Sequence, residues 1–157
     1  MGLRKILTDK EPALHKTCKE VTSFDSKLHK LLDDMRETLI ESQGVGLAAP
    51  QVGIIRRVVL VDTGDEILEL VNPTLVETDG EQEGPEGCLS VPGKYGLVKR
   101  PYYAKVRAQD RYGEWYEAEG EELIARCFCH ELDHLDGIVY TEKMDRFLTE
   151  EELAYDE

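Results

Sequence analysis

Two histidines four residues apart, with a glutamate directly after the first, stand in the segment His130-Glu131-Leu132-Asp133-His134. Residues four apart lie on one face of a helix, so both imidazoles can reach a single divalent cation. Glu131 remains free for proton transfer, and this H-E-x-x-H spacing is typical of metal-dependent hydrolases. The segment therefore predicts a helical metal site.

Two histidines leave a catalytic metal site one protein ligand short, because three protein ligands and a water molecule are the usual set. Cys88 is the best candidate for the third ligand, since a thiolate is a strong donor and a glycine precedes it. Cys127 shares the helical face of the histidines but is about 10.5 Å from His134 along a helix axis. Cys129 points about 100° away from His130. We therefore expect Cys88, His130 and His134 to bind the metal.

A cation held in this way lowers the pKa of a bound water molecule towards neutrality. Glu131 can then accept the water proton as a general base and pass it to a leaving amine. Asp133 either orients a neighbouring ligand or cation, or lies at the surface. His15 and His29 stand beside charged residues, and we expect both to be surface histidines.

The chain has 157 residues, the usual size of one domain. Its 19 basic and 33 acidic residues give a net charge of −14, which opposes binding to nucleic acid or to an anionic membrane. Residues 1–10 have no long apolar run, and no stretch of about 18 apolar residues occurs. The four cysteines suggest no disulfide framework. We therefore expect a cytoplasmic protein in a reducing compartment.

Apolar residues at helical spacing predict a helix over residues 25–43 that packs on the core. A second helix over residues 121–135 carries the H-E-x-x-H segment, and a short last helix begins at Thr149 with a capping-box pattern. Short apolar runs predict strands, the last two joined by a hairpin turn. These strands cover residues 57–62, 67–72, 75–78, 104–109 and 114–119. The order of elements favours an α+β fold, a single domain with a largely antiparallel sheet packed around a central metal-binding helix.

Three segments together resemble the signature motifs of the peptide deformylases: Gly-Val-Gly-Leu-Ala-Ala-Pro-Gln at 44–51, Glu-Gly-Cys-Leu-Ser at 86–90, and the H-E-x-x-H segment. The resemblance implies that residues 1–157 form a deformylase-like catalytic domain. The reaction it implies is removal of the N-formyl group from the N-terminal formyl-methionine of newly synthesised polypeptides, with release of formate. It assigns oxyanion stabilisation to the Gln51 side chain and the Leu89 backbone N–H.

The resemblance also implies how substrate and metal bind. The peptide would lie along residues 44–47, which include Gly46, and the methionine side chain would enter a pocket for which the candidates are Val45, Leu123 and Cys127. Arg126 lies near that face, where some relatives carry an apolar residue. Ligand type alone does not choose between Zn²⁺ and Fe²⁺; the resemblance favours one Fe²⁺ ion, for which Zn²⁺, Ni²⁺ or Co²⁺ can substitute.

The expected partners are formyl-methionyl nascent chains, met through transient proximity to the ribosome. The acidic residues 149–157 would hardly contact nucleic acid, and no membrane partner is expected. Two alternatives remain open from the residues alone. An H-E-x-x-H endopeptidase would use a different third ligand and cleave ordinary peptide bonds. A binding module with a structural zinc would close all four metal positions with protein ligands.

Overall fold

The computed structural model describes residues 2–155, in which helix α1 covers Ser26–Ser42. The Asp25 carboxylate accepts a hydrogen bond from the Leu28 backbone N–H at 3.2 Å, which satisfies a free donor at the helix start. Gln43 takes the left-handed conformation, with φ of 58°, and ends the helix. The apolar face of α1 is buried and consists of Leu28, Leu31, Leu32, Met35 and Leu39.

Within residues 2–155, seven strands follow, and every pairing between them is antiparallel. In chain order they are β1 (Gly46–Ala48), β2 (Val58–Asp62), β3 (Ile67–Asp79), β4 (Gln82–Cys88), β5 (Val91–Arg100), β6 (Tyr103–Gln109) and β7 (Trp115–Glu121). Five of them form a sheet in the order β1-β2-β3-β6-β7, and β4 and β5 form a separate hairpin. Two more helices are α2 (Leu123–Leu135) and α3 (Glu150–Tyr155).

One helix packs on each face of strand β2, because successive side chains of a strand point to opposite sides. Val59 and Val61 belong to the core cluster that contains Phe128 of α2. Val58 and Leu60 belong to the cluster formed with α1. The sheet is therefore a middle layer, and α2, which carries the H-E-x-x-H segment, is pressed against it.

The β4–β5 hairpin is held against the rest of the domain by a third core cluster, which includes Leu14, Val98 and Tyr140. The C-terminal segment also pairs with β5: the Leu97 N–H donates to the Arg146 carbonyl and the Leu148 N–H donates to the Tyr95 carbonyl, both at 2.8 Å. These contacts fix the position of the strand that ends at Cys88.

Helix α3 has the predicted capping box. The Glu152 backbone N–H donates to the Thr149 hydroxyl at 3.2 Å, and the Thr149 N–H donates to the Glu152 carboxylate at 3.1 Å. Arg146 pairs with the same carboxylate at 2.6 Å. Part of the predicted acidic tail, Asp156 and Glu157, lies outside the described residues.

The α+β class and the antiparallel sheet are confirmed, but several predicted boundaries are wrong. The predicted strands 67–72 and 75–78 are one strand, β3, which continues past an irregularity at Asn72, where φ is 51°. The metal helix begins at Leu123 rather than near residue 121, since Glu121 ends β7 and Glu122 has a φ of 54°. Strands β1, β4 and β5 were not predicted.

Within residues 2–155, no helix combines the length and the apolar character needed to cross a membrane.

Candidate active site

The three predicted metal ligands lie together although they come from two elements. His130 and His134 lie one turn apart on α2, and Cys88 is the last residue of β4. The two Nε2 atoms are 3.2 Å apart, and Cys88 Sγ is 3.3 Å from His134 Nε2. Across the described part of the chain, these three are brought together as a group whose ligand atoms all lie within 4.8 Å of one another.

This donor set fits a divalent transition-metal ion. Tetrahedral coordination with bonds of about 2.0–2.1 Å to nitrogen and about 2.3 Å to sulfur separates the ligand atoms by about 3.3–3.6 Å, close to the distances observed. Three protein ligands leave one position for water or substrate, as in a catalytic site. A structural zinc needs a fourth protein ligand, and residues 2–155 add none to this group.

Glu86 contacts the His130 ring at Nδ1, the ring nitrogen away from the metal position. Its Oε2 lies 2.6 Å from His130 Nδ1, which leaves Nε2 facing the metal position. Arg100 donates to Glu86 through Nε and Nη2 at 3.0 and 2.7 Å, and Arg126 donates through Nη1 at 2.9 Å. Asp133 accepts a further hydrogen bond from Arg100 at 2.7 Å. Asp133 is therefore in contact with a neighbouring cation, the Arg100 guanidinium.

Hydrogen bonds and burial set the charge of these groups. Burial acts to raise the pKa of Glu86, but hydrogen bonds with His130 and Arg100 outweigh it and hold this pKa well below its usual range. Burial lowers the pKa of His134, and the charge of His130 lowers it further. These effects favour the carboxylate form of Glu86 and the neutral form of His134, which is the form that binds a metal.

Glu131 lies beside the ligands in a buried position. It is 4% exposed, and its Oε1 has no hydrogen-bond partner among residues 2–155. Burial raises the pKa of Glu131 to about 7, against the opposing charge of His130. A carboxylate whose pKa lies near the working pH is suited to general acid–base chemistry.

Gly46 allows β1 to approach this glutamate closely. A Cβ atom at Gly46 would lie 2.6 Å from both Cys127 Sγ and Glu131 Oε2, too close for any side chain. At Gly46, the backbone of β1 therefore lies directly against α2.

Gln51 is held with its amide nitrogen towards the site. Its Oε1 accepts a hydrogen bond from the Ala48 backbone N–H at 2.9 Å, and its Nε2 donates to the Ser90 hydroxyl at 3.0 Å. The same nitrogen is 3.6 Å from Cys88 Sγ. Leu89 follows Cys88 directly in the chain. Both predicted oxyanion donors are therefore close to Cys88.

A cavity of about 580 Å³ opens beside the metal ligands. All four predicted substrate-binding residues line it, and so do Arg126 and Glu131. Val45 and Leu123 are exposed at its rim, at 38% and 58%, whereas Cys127 is buried. Each predicted site residue is therefore at, or directly beside, one cavity.

The cysteines differ in exposure. Cys88 is half-buried, whereas Cys18, Cys127 and Cys129 are buried. Burial raises the pKa of Cys18 to about 11 and also raises the pKa values of the thiols of Cys127 and Cys129. The predicted surface histidines also differ: His15 is exposed, but His29 is half-buried and lies 2.8 Å from the Arg111 carbonyl.

Sequence reasoning missed the groups that support the ligands. Glu86 lies two residues before Cys88 on one strand, and its place within the same short motif was the available signal. Tyr140 stacks on His130, with ring centroids 6.0 Å apart and an interplanar angle of 28°. For Arg100 and Tyr140, no spacing in the sequence indicated that they would reach the site.

Comparison with known proteins now decides the family. The family profile described as polypeptide deformylase matches residues 3–150. A peptide deformylase of Agathobacter rectalis is 55% identical over 145 residues, covering 92% of each chain. The crystal structure of a peptide deformylase from Legionella pneumophila has a TM-score of 0.88 and 42% identity, covering 91% of this chain and 86% of that one. The Thermotoga maritima structure has a TM-score of 0.88 and 39% identity, covering 91% and 98%.

The chain belongs to the peptide deformylase family. It is therefore a hydrolase that removes the N-formyl group from the N-terminal formyl-methionine of newly synthesised polypeptides and releases formate. Peptide deformylases are metalloenzymes, in agreement with the cluster of Cys88, His130 and His134. The family that the three sequence motifs predicted is therefore confirmed, and the match extends over nearly the whole chain.

Proposed function

We propose that Cys88, His130 and His134 hold one divalent cation and that Glu131 is the general base of deformylation. The observation that carries this proposal is the position of Glu131, buried beside both histidines with one carboxylate oxygen unpaired among the described residues. The bound cation would act as a Lewis acid on a water molecule and on the formyl oxygen.

The protein groups divide the proton transfers and the charge stabilisation. Glu131 takes a proton from the attacking water and gives it to the amine nitrogen as the C–N bond of the formamide breaks. Gln51 Nε2 and the Leu89 N–H donate to the formyl oxygen as it gains negative charge. Gln51 is held by Ala48 and Ser90 in the absence of substrate, so little reorganisation is needed.

The peptide would bind as an added strand. β1 is an edge strand of the five-stranded sheet, and Gly46 presents its backbone at the site. An extended peptide can therefore form main-chain hydrogen bonds there, while the methionine side chain enters the cavity beside Val45, Leu123 and Cys127.

Formate release tests the reaction directly. Metal-loaded protein and a formyl-methionyl peptide should yield formate and a free amino terminus in equal amounts. Cleavage of an internal bond in an acetylated peptide of the same sequence, without formate release, would instead identify an endopeptidase.

Cys88→Ser tests the ligand set, because a hydroxyl is a poor substitute for a thiolate. Metal affinity should fall by more than the roughly 10–100-fold typical of losing a group that only supports a ligand. Cys129→Ser removes a thiol that is outside this group of three and should retain the metal. Native affinity in Cys88→Ser would remove Cys88 from the ligand set.

The working metal in this proposal is Fe²⁺, with Zn²⁺, Ni²⁺ or Co²⁺ able to substitute. A mixed thiolate and imidazole set binds all of these ions, and Fe²⁺ together with a half-buried thiolate would be sensitive to oxygen. Metal-free protein should be loaded anaerobically with each ion and assayed before and after exposure to air. Equal turnover of the Fe²⁺ and Zn²⁺ forms, with no loss in air, would contradict a special role for iron.

We also propose that the enzyme works in the cytoplasm, where it meets nascent chains near the ribosome without binding nucleic acid directly. The net charge of −14 opposes contact with ribosomal RNA. Deletion of residues 149–157 should leave ribosome affinity unchanged at physiological salt. A large, salt-sensitive fall in the affinity of a folded truncation would contradict this.

A further inference from the structure

Arg126 lines the cavity together with Leu123 and Cys127 of the same helix. It lies on the first turn of α2, between Leu123 and Cys127, and is only 7% exposed. Its Nη1 donates to Glu86 Oε1 at 2.9 Å and to the Val98 carbonyl at 3.1 Å. The guanidinium is therefore fixed in place by a carboxylate and a strand.

The other terminal nitrogen of Arg126 has no such partner. Within residues 2–155, the hydrogen bonds of this guanidinium are made through Nη1 alone. Nη2 lies beside Gly84, where an added Cβ atom would be 3.6 Å from it. Gly84 has no side chain to cover this nitrogen, and Arg126 is among the residues that line the cavity.

We propose that Arg126 allows this enzyme to deformylate peptides that begin with N-formyl-methionine sulfoxide. This inference rests on the proposed function, because it takes the cavity to be the pocket for the first side chain. A thioether sulfur is a weak hydrogen-bond acceptor, whereas the oxygen of a sulfoxide is strongly polar. An apolar pocket would leave that oxygen unpaired, but a fixed guanidinium N–H can donate to it.

The chemistry is the same hydrolysis as for formyl-methionine. Water adds its oxygen to the formyl carbon, the C–N bond of the formamide breaks, and a water proton moves to the amine nitrogen. The products are formate and a peptide with a free amino-terminal methionine sulfoxide. The sulfoxide oxygen is neither added nor removed, so no oxidant or reductant is needed.

The test compares two substrates in one enzyme, formyl-methionyl and formyl-methionine-sulfoxide peptides of otherwise identical sequence. The measured quantity is the ratio of their kcat/KM values. Arg126→Met should lower the sulfoxide-to-thioether ratio about tenfold or more, the size expected for losing a hydrogen bond to a charged donor. Damage to the metal site through Glu86 would lower both values and leave the ratio unchanged.

Lys99→Met is the matched control. Lys99 is exposed on β5 next to Val98 and lines a different cleft, so the same change of charge is made outside the cavity. The ratio in this variant should equal that of the wild type. An unchanged ratio in Arg126→Met, or an equal fall in both variants, would overturn the proposal.

If Arg126→Met does not fold, the proposal is tested by the kcat/KM values of the wild-type enzyme for the two peptides. Its kcat/KM for the sulfoxide peptide should lie within about thirtyfold of the value for the thioether peptide, because the buried oxygen is paired. A larger loss would overturn the inference while leaving deformylation intact. Failure on formyl-methionyl peptide itself would instead contradict the proposed function.

Discussion

Helices α1 and α2 cover opposite faces of one sheet, but they bury different kinds of side chain. The inward face of α1 is mainly apolar, with Leu32 and Met35 fully buried. The inward face of α2 also buries Arg126, Glu131 and His134. Apolar side chains need only space and contact, whereas buried charges need partners. Helix α1, whose buried Asp34 pairs with Arg4 and Lys30, can therefore be held mainly by packing, but α2 depends on residues supplied by β4 and β5.

The largest expected effect is on the chemistry at α2. Glu131→Gln should lower kcat about 10²–10⁴-fold, because it removes the proton acceptor and leaves both histidines in place. Metal content should remain one ion per chain. The matched control is Glu41→Gln, at an exposed glutamate of α1, which should turn over like the wild type. Activity of Glu131→Gln within about threefold of the wild type would exclude Glu131 as the base.

Removing one partner of the buried charges should lower both the stability and the metal affinity of the protein. Glu86→Gln leaves Arg126 without its carboxylate, and breaking such a buried pair destabilises a protein by about 3–5 kcal/mol. Metal affinity should fall about 10–100-fold, since His130 loses its support. Urea denaturation and metal titration measure the two effects. Glu83→Gln, at an exposed residue of the same strand, should change stability by less than about 0.5 kcal/mol.

A change in the apolar face of α1 should separate stability from catalysis. Met35 is 0% exposed, and Met35→Ala should lower the free energy of unfolding by about 2–5 kcal/mol through lost burial and a cavity. The folded variant should keep the kcat and metal affinity of the wild type. Ile40→Ala, at a residue 61% exposed on the same helix, is the control and should have little effect on stability. A large fall in kcat for Met35→Ala would show that the two helices are not independent.

The smallest expected effect is at Glu69 of β3, which pairs with Arg36 of α1 and with Arg111 of the β6–β7 turn. Burial acts to raise the pKa of Glu69, but hydrogen bonds from Arg111 and Arg36 outweigh it and lower this pKa. A carboxylate with a lowered pKa in the folded state stabilises the fold above its unfolded pKa of about 4.3, and this contribution is lost as the pH falls.

Glu69→Gln should therefore cost about 1 kcal/mol at neutral pH and less as the pH falls below about 4. Stability measured by denaturation between neutral and acid pH checks this, with Glu77→Gln, an exposed residue of the same strand, as the control. The same difference between Glu69→Gln and wild type at every pH would contradict the assigned role.

Elements with a strong local pattern were predictable from the sequence. Helix α1 has apolar residues at helical spacing and a capping aspartate, and the H-E-x-x-H spacing of α2 puts both histidines on one face of a helix. The β6–β7 hairpin was indicated by alternating residues around a tight turn. In each case the signal lies within about 20 neighbouring residues.

Strands β4 and β5 had no such local signal. Residues 82–100 contain Gly84, Pro85, Gly87, Pro92 and Gly93, which lower the local preference for a strand. The hairpin forms because its two strands pair with each other and β5 pairs further with residues 146–148. Contacts between residues distant in the sequence cannot be predicted from one amino-acid sequence alone.

In the candidate site, too, some features could be predicted from the sequence and others could not. The grouping of Cys88, His130 and His134 was predictable because metal chemistry restricts the residue types and, for His130 and His134, the spacing as well. The support from Arg100 and Tyr140 was not predicted, because an arginine or a tyrosine has many uses and only the tertiary fold shows which one applies. Arg126 was noted as unusual from the sequence, and its ion pair with Glu86 explains how the charge is accommodated.

The four thiols differ in burial, so their reactivity offers a way to measure how many molecules hold a metal ion. Cys18, Cys127 and Cys129 are buried with raised pKa values, so they should react slowly with a thiol reagent in the native state. Cys88 is more accessible and is the proposed metal ligand. One fast-reacting thiol per chain would then count metal-free molecules, and its disappearance on loading would report occupancy without any measurement of turnover.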